Sequence, residues 1–81
     1  MEIRILFEEK HLLQIASLKM PFGKYKNVVL IDLPEDYLLW FSRKEFPQGN
    51  LGMLMQLTLE IKINGLEGII EPLKKSSSDR K

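Results

Sequence analysis

Apolar residues recur at the three- and four-residue spacing of an α-helix in three parts of the chain. The first helix is predicted at 8–18 and ends before Pro21, because proline restricts the preceding residue to extended conformations. The second is predicted to start at Pro34, since proline followed by acidic residues is typical of a first helical turn. It ends near Pro47. A last short helix is predicted at 66–73.

The segment between the first two helices predicts a β-hairpin. Residues 19–22 and 28–31 form the two short strands, and the second is a run of four aliphatic residues, three of them β-branched. The turn lies at 24–27, where Asn27 tolerates a left-handed backbone. A two-stranded ribbon needs helices packed on it. The predicted fold class is therefore α+β and mainly helical, with a short β-hairpin packed on three to four helices.

Residues 51–63 carry two conflicting signals. The stretch 57–63 alternates apolar and polar residues and runs into Asn64-Gly65, which is typical of a strand entering a tight hairpin turn. The same segment is rich in helix formers, with Asn50 as a possible N-cap and Gly65 as a left-handed C-terminal cap. Apolar residues on every side would suit a centrally buried helix. The alternation by itself slightly favours the strand.

Composition indicates one small globular domain. The chain has 81 residues, of which 44% are hydrophobic and 28% charged, and it contains no cysteine. Disulfides, cysteine-based metal sites and thiol catalysis are therefore excluded. No apolar run approaches the roughly 18 residues of a transmembrane helix, and the N-terminus does not have the pattern of a secretory signal. We expect a cytoplasmic protein that makes no membrane contact.

The small net charge hides an uneven distribution. Of the total of +1, residues 74–81 contribute four positive charges and one negative, so residues 1–73 carry a net −2. The terminal segment has no apolar residue with which to offset its ordering entropy, so we predict a single domain at 1–73 and a disordered polar and basic tail at 74–81. A solubilising end is the favoured interpretation of this tail. A segment that attracts nucleic acid or membranes is the alternative.

Residues suited to catalysis are scarce. His11 is the only histidine, and the glycines do not fit a phosphate-binding fingerprint. Asp32, Glu35 and Asp36 could chelate a hard cation or act as acid and base, but their position at a predicted helix start explains them without chemistry. We therefore predict a protein that is not an enzyme, with no catalytic residue, no metal and no cofactor.

The predicted hairpin interleaves cations with aromatic rings. No acidic residue occurs between Lys10 and Asp32, and single-stranded nucleic acid needs cations for its phosphates and ring faces for its bases. Residues Arg43 and Lys44 would extend this patch if their helix packs beside the hairpin. Alternatively, the rings belong to the core and the lysines keep the ribbon soluble. The candidate nucleic-acid-binding residues are Lys19, Phe22, Lys24, Tyr25, Lys26 and Arg43.

A second candidate surface is an aromatic stripe on and after the second predicted helix. The favoured interpretation places this stripe at the centre of the core. In a domain this small, part of it could instead remain exposed and bind a partner protein or a second copy of the chain. The candidate interaction residues are Tyr37, Trp40, Phe41 and Phe46.

The same two regions resemble a known family. Residues 20–26 read Met-Pro-Phe-Gly-Lys-Tyr-Lys, residues 33–41 read Leu-Pro-Glu-Asp-Tyr-Leu-Leu-Trp-Phe, and the pattern continues through 64–68, Asn-Gly-Leu-Glu-Gly. Over about residues 12–73 the sequence resembles a family of short bacterial proteins of unknown function labelled putative quorum-sensing-regulated virulence factors. The resemblance implies a compact fold in which 51–63 is helical, and it brings no catalytic residue. Where the family's turn usually carries glycine, this chain has Asn27.

A looser form of the Phe-Gly-Lys-Tyr-Lys…Trp pattern is similar to the segment that follows some bacterial 3′–5′ exonuclease domains, although the chain has no room for the nuclease itself. With the basic hairpin, this similarity predicts a non-catalytic accessory module that binds single-stranded nucleic acid. The alternative is a protein-interaction or regulatory module, linked to virulence or quorum sensing and self-associating through the aromatic stripe. The expected partner is thus a single-stranded nucleic acid or another protein.

Overall fold

Four α-helices and two short 3-10 turns make up the described part of the chain, residues 8–78, in a computed structural model. Helix α1 packs against α4 and α3, and α2 packs against α3. None of these helices is both long enough and apolar enough to cross a membrane. The helices are α1 (Glu9–Ser17), α2 (Glu35–Lys44), α3 (Asn50–Ile63) and α4 (Glu71–Ser78), and the 3-10 turns are Leu30–Asp32 and Glu67–Ile69.

Helix α3 lies at the centre of the core and is buried on more than one side. Its buried polar group is satisfied, because the Thr58 hydroxyl donates a hydrogen bond of 2.7 Å to the Leu54 carbonyl oxygen. The helix implied by the family resemblance is confirmed, and the strand favoured by the alternation is wrong. A helix surrounded by neighbours does not segregate its apolar residues onto one face. Its buried residues are Gly52, Leu54, Met55, Thr58, Leu59 and Ile61.

The two ends of α3 differ in how they are capped. At the start, Gly49 takes the N-cap position without a side-chain hydrogen bond, so the prediction that Asn50 is the N-cap is wrong. At the end, Gly65 adopts a left-handed φ of 67°. The Leu66 amide donates to the Ile61 carbonyl at 2.8 Å, and the Gly65 amide closes the inner bond of the same motif at 3.1 Å. The predicted glycine cap is thus confirmed.

The predicted β-hairpin is wrong, and with it the α+β fold class: residues 8–78 are helical and contain no strand. A single antiparallel bridge joins Lys19 to Val29. The reason lies in the next residues, since Leu30 and Ile31 are both buried although they are consecutive. A strand would point them to opposite faces, whereas the 3-10 turn Leu30–Asp32 turns both inward. The turn at 24–27 is retained.

The other helices lie close to their predicted positions, although their ends differ from the predicted ones. Helix α1 falls within the predicted 8–18, and α2 begins directly after Pro34. The last predicted helix, 66–73, becomes the 3-10 turn Glu67–Ile69 followed by α4. Because α4 ends at Ser78, its backbone includes the first part of the tail predicted at 74–81. Residues 79–81 lie outside the described part, and the division into domain and tail stays a prediction.

An ion pair connects the C-terminal helix to the middle of the chain. The Lys74 ammonium donates to both carboxylate oxygens of Asp32, at 2.9 and 3.1 Å. This hydrogen bond raises the pKa of Lys74 above its ordinary value. Because Asp32 is half exposed, we expect the pair to contribute at most about 1 kcal/mol to the free energy of unfolding. Asp32 therefore has a structural partner.

The turn at 24–27 supplies a stability prediction at Asn27. Its φ of 74° lies in the left-handed region, the only positive φ of a non-glycine residue between 8 and 78. Because a β-branched side chain clashes there, Asn27→Val should lower the free energy of unfolding by about 1–2 kcal/mol, whereas Asn27→Gly should change it by less than about 1 kcal/mol. Lys26→Val, in the same turn, is the control. Equal urea midpoints for both valine variants would contradict the prediction.

Candidate functional site

The candidate site begins with the loop that joins α1 to the 3-10 turn Leu30–Asp32, here called the basic loop (residues 18–29). Backbone hydrogen bonds close it: the Met20 amide donates to the Val28 carbonyl at 2.9 Å, and the Asn27 amide donates to the Met20 carbonyl at 2.7 Å. Met20 is fully buried and ties the loop to the core. The turn at 24–27 is therefore held in place by these backbone hydrogen bonds and by the buried Met20.

Gly23 brings the basic loop into contact with α2. It has a φ of 82°, and a Cβ built on it would lie 2.9 Å from the Tyr37 hydroxyl oxygen. The missing side chain thus lets the tyrosine hydroxyl lie against the loop backbone. Two positions separated by more than a dozen residues meet here, which no local spacing in the sequence indicates.

Aromatic rings continue this contact along α2 and are here called the aromatic row. The Tyr25 and Tyr37 ring centroids are 4.6 Å apart, and Tyr37 is 5.2 Å from Phe41. Phe41 in turn contacts Trp40 at 5.1 Å and stacks on Phe46 at 6.2 Å. The first three of these contacts are edge to face, which is a favourable geometry for aromatic pairs. The row therefore joins the two candidate surfaces into one.

The aromatic row lies at the edge of the core, so the prediction that the stripe forms its centre is wrong. Aliphatic and methionine side chains fill the centre, while Tyr37, Phe41 and Phe46 are only half-buried against it. Trp40 is 49% exposed, and Phe22 in the basic loop is 43% exposed. Two large rings are thus available to a ligand.

The row branches at Phe41, and cations lie at two of its three ends. The Lys24 ammonium is 5.5 Å from the Tyr25 ring centroid, and the Lys44 ammonium is 5.9 Å from the Trp40 ring centroid. Both distances fall in the range of cation–π contacts. The sequence predicts that Lys44 extends the basic patch if its helix packs beside the hairpin segment. The helix α2 does pack beside the basic loop. The spacing of four residues from Trp40 to Lys44 is the sequence signal for this pair.

The remaining predicted cations make no cation–π contact with the rings of the row. Lys19 lies at the base of the loop opposite Val29, and Lys26 is exposed in the turn. Arg43 is exposed on α2, three residues after Trp40 and so beside it on the helix surface. Among residues 8–74 the ion pairs are those of Lys10 and Lys74, so none of these cations is neutralised by a carboxylate there.

The acidic residues considered for chemistry do not converge. Glu35 and Asp36 are exposed in the first turn of α2, and Asp32 is held by Lys74. Within the described residues no three histidine, aspartate or glutamate side chains are grouped to hold a metal ion. The predicted position at a helix start is confirmed for Glu35 and Asp36.

Tyr37 gives a pH prediction. Its burial, and to a smaller extent the nearby Tyr25, raise the pKa of Tyr37 above the ordinary 10.0. Above about pH 10 the unfolded chain releases this proton while the folded chain keeps it, so the free energy of unfolding should fall as the pH rises. Tyr37→Phe should therefore show a shallower alkaline decrease in urea unfolding. An unchanged decrease would contradict the assignment to Tyr37.

Comparison with known protein families shows to which family the chain is related. The family described as "Putative quorum-sensing-regulated virulence factor" matches residues 8–73. The chain belongs to this family. "Uncharacterized protein YpeB" of Escherichia coli (strain K12) is 61% identical over 69 residues, which cover 84% of this chain and 96% of that protein. The protein of the same name from Escherichia coli O157:H7 matches to the same extent. No solved structure gives a significant match.

The family match includes every part of the candidate site. The matched range 8–73 contains the basic loop, the aromatic row and Lys44, so these features lie in the part of the chain that matches the family. The resemblance seen in the motifs at 20–26 and 33–41 is thus confirmed. The family description names regulation by quorum sensing and states no ligand or reaction.

Proposed function

We propose that this chain is a non-catalytic accessory module that binds single-stranded nucleic acid through the basic loop and the aromatic row. The observation that carries the proposal is the arrangement of rings and cations: contacts between rings run without a break from Tyr25, beside Lys24, to Trp40, beside Lys44. Phosphates are bound by the cations and bases by exposed ring faces, as in other binders of single strands.

Single strands suit this surface better than duplexes. Phe22 and Trp40 offer exposed rings, and the faces of bases are accessible only when the bases are unstacked. No helix of the described residues presents a long row of cations of the kind that fits a major groove. The proposal therefore predicts a preference for unpaired over paired nucleic acid of the same length.

The chain's only tryptophan provides a direct test. Trp40 lies in the aromatic row, so stacking of a base should quench its fluorescence. Oligothymidylate should quench it at low salt, and the effect should weaken steeply as salt is added. A hairpin duplex should quench it less. No change in fluorescence, and no binding of a labelled oligonucleotide, would refute the proposal.

Charge reversal in the basic loop tests whether affinity depends on the loop lysines or only on the net charge of the protein. Lys24→Glu with Lys26→Glu should reduce affinity by on the order of a hundredfold or more, because two phosphate contacts are replaced by repulsion. The matched control is Lys10→Glu with Lys62→Glu, which changes the net charge equally on α1 and α3. Equal losses in both double variants, with folding confirmed by circular dichroism, would show attraction to net charge only.

A second candidate function is protein binding or self-association through the aromatic row. The half-exposed Trp40 favours it, because aromatic residues of this kind anchor protein interfaces. A concentration-dependent sedimentation coefficient that disappears in Trp40→Ala would support self-association. A monomer at every concentration, with quenching by oligothymidylate, would favour nucleic acid.

A further inference from the structure

We infer that one single strand follows a continuous path from the basic loop across Trp40 to the cations at the end of α2, so that the ligand is an unpaired stretch of at least about four nucleotides with one base on Trp40. The inference rests on the proposed function and specifies the ligand and its route. The motivation is that two groups of cations, separate in the sequence, are joined by one row of rings.

The path is continuous at the level of side-chain contacts. Gly23 lies against the Tyr37 hydroxyl, and the rings of Tyr37, Phe41 and Trp40 follow each other at 5.2 and 5.1 Å. Lys44 lies beyond them, with its ammonium beside the Trp40 ring. A strand leaving the loop therefore meets rings before it meets the second group of cations.

Helix geometry sets the length of the ligand. Tyr37 and Lys44 are seven residues apart on α2, which is about 10 Å along the helix axis. Stacked nucleotides are spaced about 3.4 Å apart along a strand, so this part alone corresponds to about three nucleotides. Contacts to Lys24 and Lys26 add at least one more. A dinucleotide is too short to reach both groups of cations.

Trp40 is the ring on α2 with a free surface for stacking. Tyr37 and Phe41 are half-buried, and each contacts two other rings edge to face. Trp40 contacts Phe41 alone in the row and is 49% exposed. A base stacked there places its phosphate within reach of Lys44.

Charge along α2 directs the strand from Trp40 toward the last turn of the helix. Asp36 lies one turn before Trp40, and Lys44 lies one turn after it. At 3.6 residues per turn, Tyr37 and Lys44 lie on one side of Trp40 around the helix, whereas Asp36 and Arg43 lie on the other. Phosphates are therefore repelled from the first turn of α2, which holds Asp36, and attracted to its last turn, which holds Arg43 and Lys44.

Salt dependence measures the length of the path. For single strands, the slope of log K against log salt is about −0.7 per phosphate neutralised, so the three loop lysines alone would give about −2. Adding Arg43 and Lys44 gives about −3.5. We expect the larger slope for oligothymidylate of eight or so nucleotides, and a reduction to about −2 in Arg43→Gln with Lys44→Gln. Lys10→Gln with Lys62→Gln is the control and should leave the slope unchanged.

Substitution of Trp40 tests the stacking step, read by the anisotropy of a labelled oligonucleotide. Because stacking on one ring contributes between about fivefold and a hundredfold in affinity, Trp40→Leu should weaken binding by that factor. Trp40→Phe keeps a ring and should restore most of the affinity. Neither variant removes a cation, so the salt slope should stay the same.

The outcomes separate this inference from the proposed function. If Lys24→Glu with Lys26→Glu abolishes binding while Trp40→Leu and the α2 charge variant bind normally, the strand contacts the loop only and the continuous path is refuted. If thymidine dinucleotide binds as tightly as the longer strand, the path is refuted as well. If the unaltered chain binds no oligonucleotide, or buries Trp40 in a self-associated form instead, the proposed function fails together with the inference.

Discussion

Gly52→Ala should unfold the protein or destabilise it by about 3 kcal/mol or more, the upper end of the cost of overpacking a core. Gly52 lies in the first turn of α3, where a Cβ would overlap the carbonyl oxygen of Pro47 and lie 2.8 Å from its carbonyl carbon. The obstacle is backbone, which cannot rotate away as a side chain would. Urea unfolding monitored by circular dichroism measures the loss.

The loss of stability expected for Gly52→Ala is opposite in sign to the effect of helix propensity. In an unobstructed helix, replacing glycine by alanine stabilises by up to about 1 kcal/mol, so helix propensity alone predicts the opposite result. Gly68→Ala is the matched control, because nothing lies within 4 Å of a Cβ built there. A Gly52→Ala protein as stable as the parent would mean that the segment before α3 does not cross the helix at this point.

Ile61→Ala should lower the free energy of unfolding by about 2–4 kcal/mol, as truncation of a fully buried isoleucine does. Ile63→Ala should change it by less than about 1 kcal/mol, because Ile63 is 54% exposed. The two residues are chemically identical and two positions apart on α3. Their difference therefore measures burial alone, again by urea unfolding.

This pair of variants also distinguishes the two interpretations of residues 57–63. In the strand that the alternation favours, Ile61 and Ile63 share one face and would lose comparable stability. In a helix they are about 200° apart, so one is buried while the other is exposed. Equal losses in Ile61→Ala and Ile63→Ala would contradict the helical α3.

The candidate site was predictable only in parts. The sequence identifies Lys24, Tyr25 and Lys26 as a basic and aromatic cluster, and Tyr37 with Trp40 as members of a stripe. The cluster and the stripe form one surface because the rings of Tyr25 and Tyr37 are in contact. This contact depends on the path of the basic loop. The helical spacing of Trp40 and Lys44 was readable because it is local. Contacts between distant residues have no such signal.

Local chemistry in the sequence determined where α1 and α2 lie and where the chain turns. Proline positions, acidic first turns and the left-handed Asn27 and Gly65 depend on neighbouring residues only, and the structure bears them out. The same local information predicted a hairpin where Leu30 and Ile31 are instead both turned inward.

Tertiary structure decided the rest, because burial depends on what packs from outside a segment. Surrounded by α1 and α2, the residues of α3 are helical despite their alternation. The close approach of Pro47 requires glycine at position 52, a constraint invisible in helix propensity. Packing of α2 beside the basic loop joined two candidate surfaces and left the ring of Trp40 exposed beside Lys44. Apart from the approach of Pro47, which lies five residues before Gly52, these results follow from contacts between residues far apart in the chain.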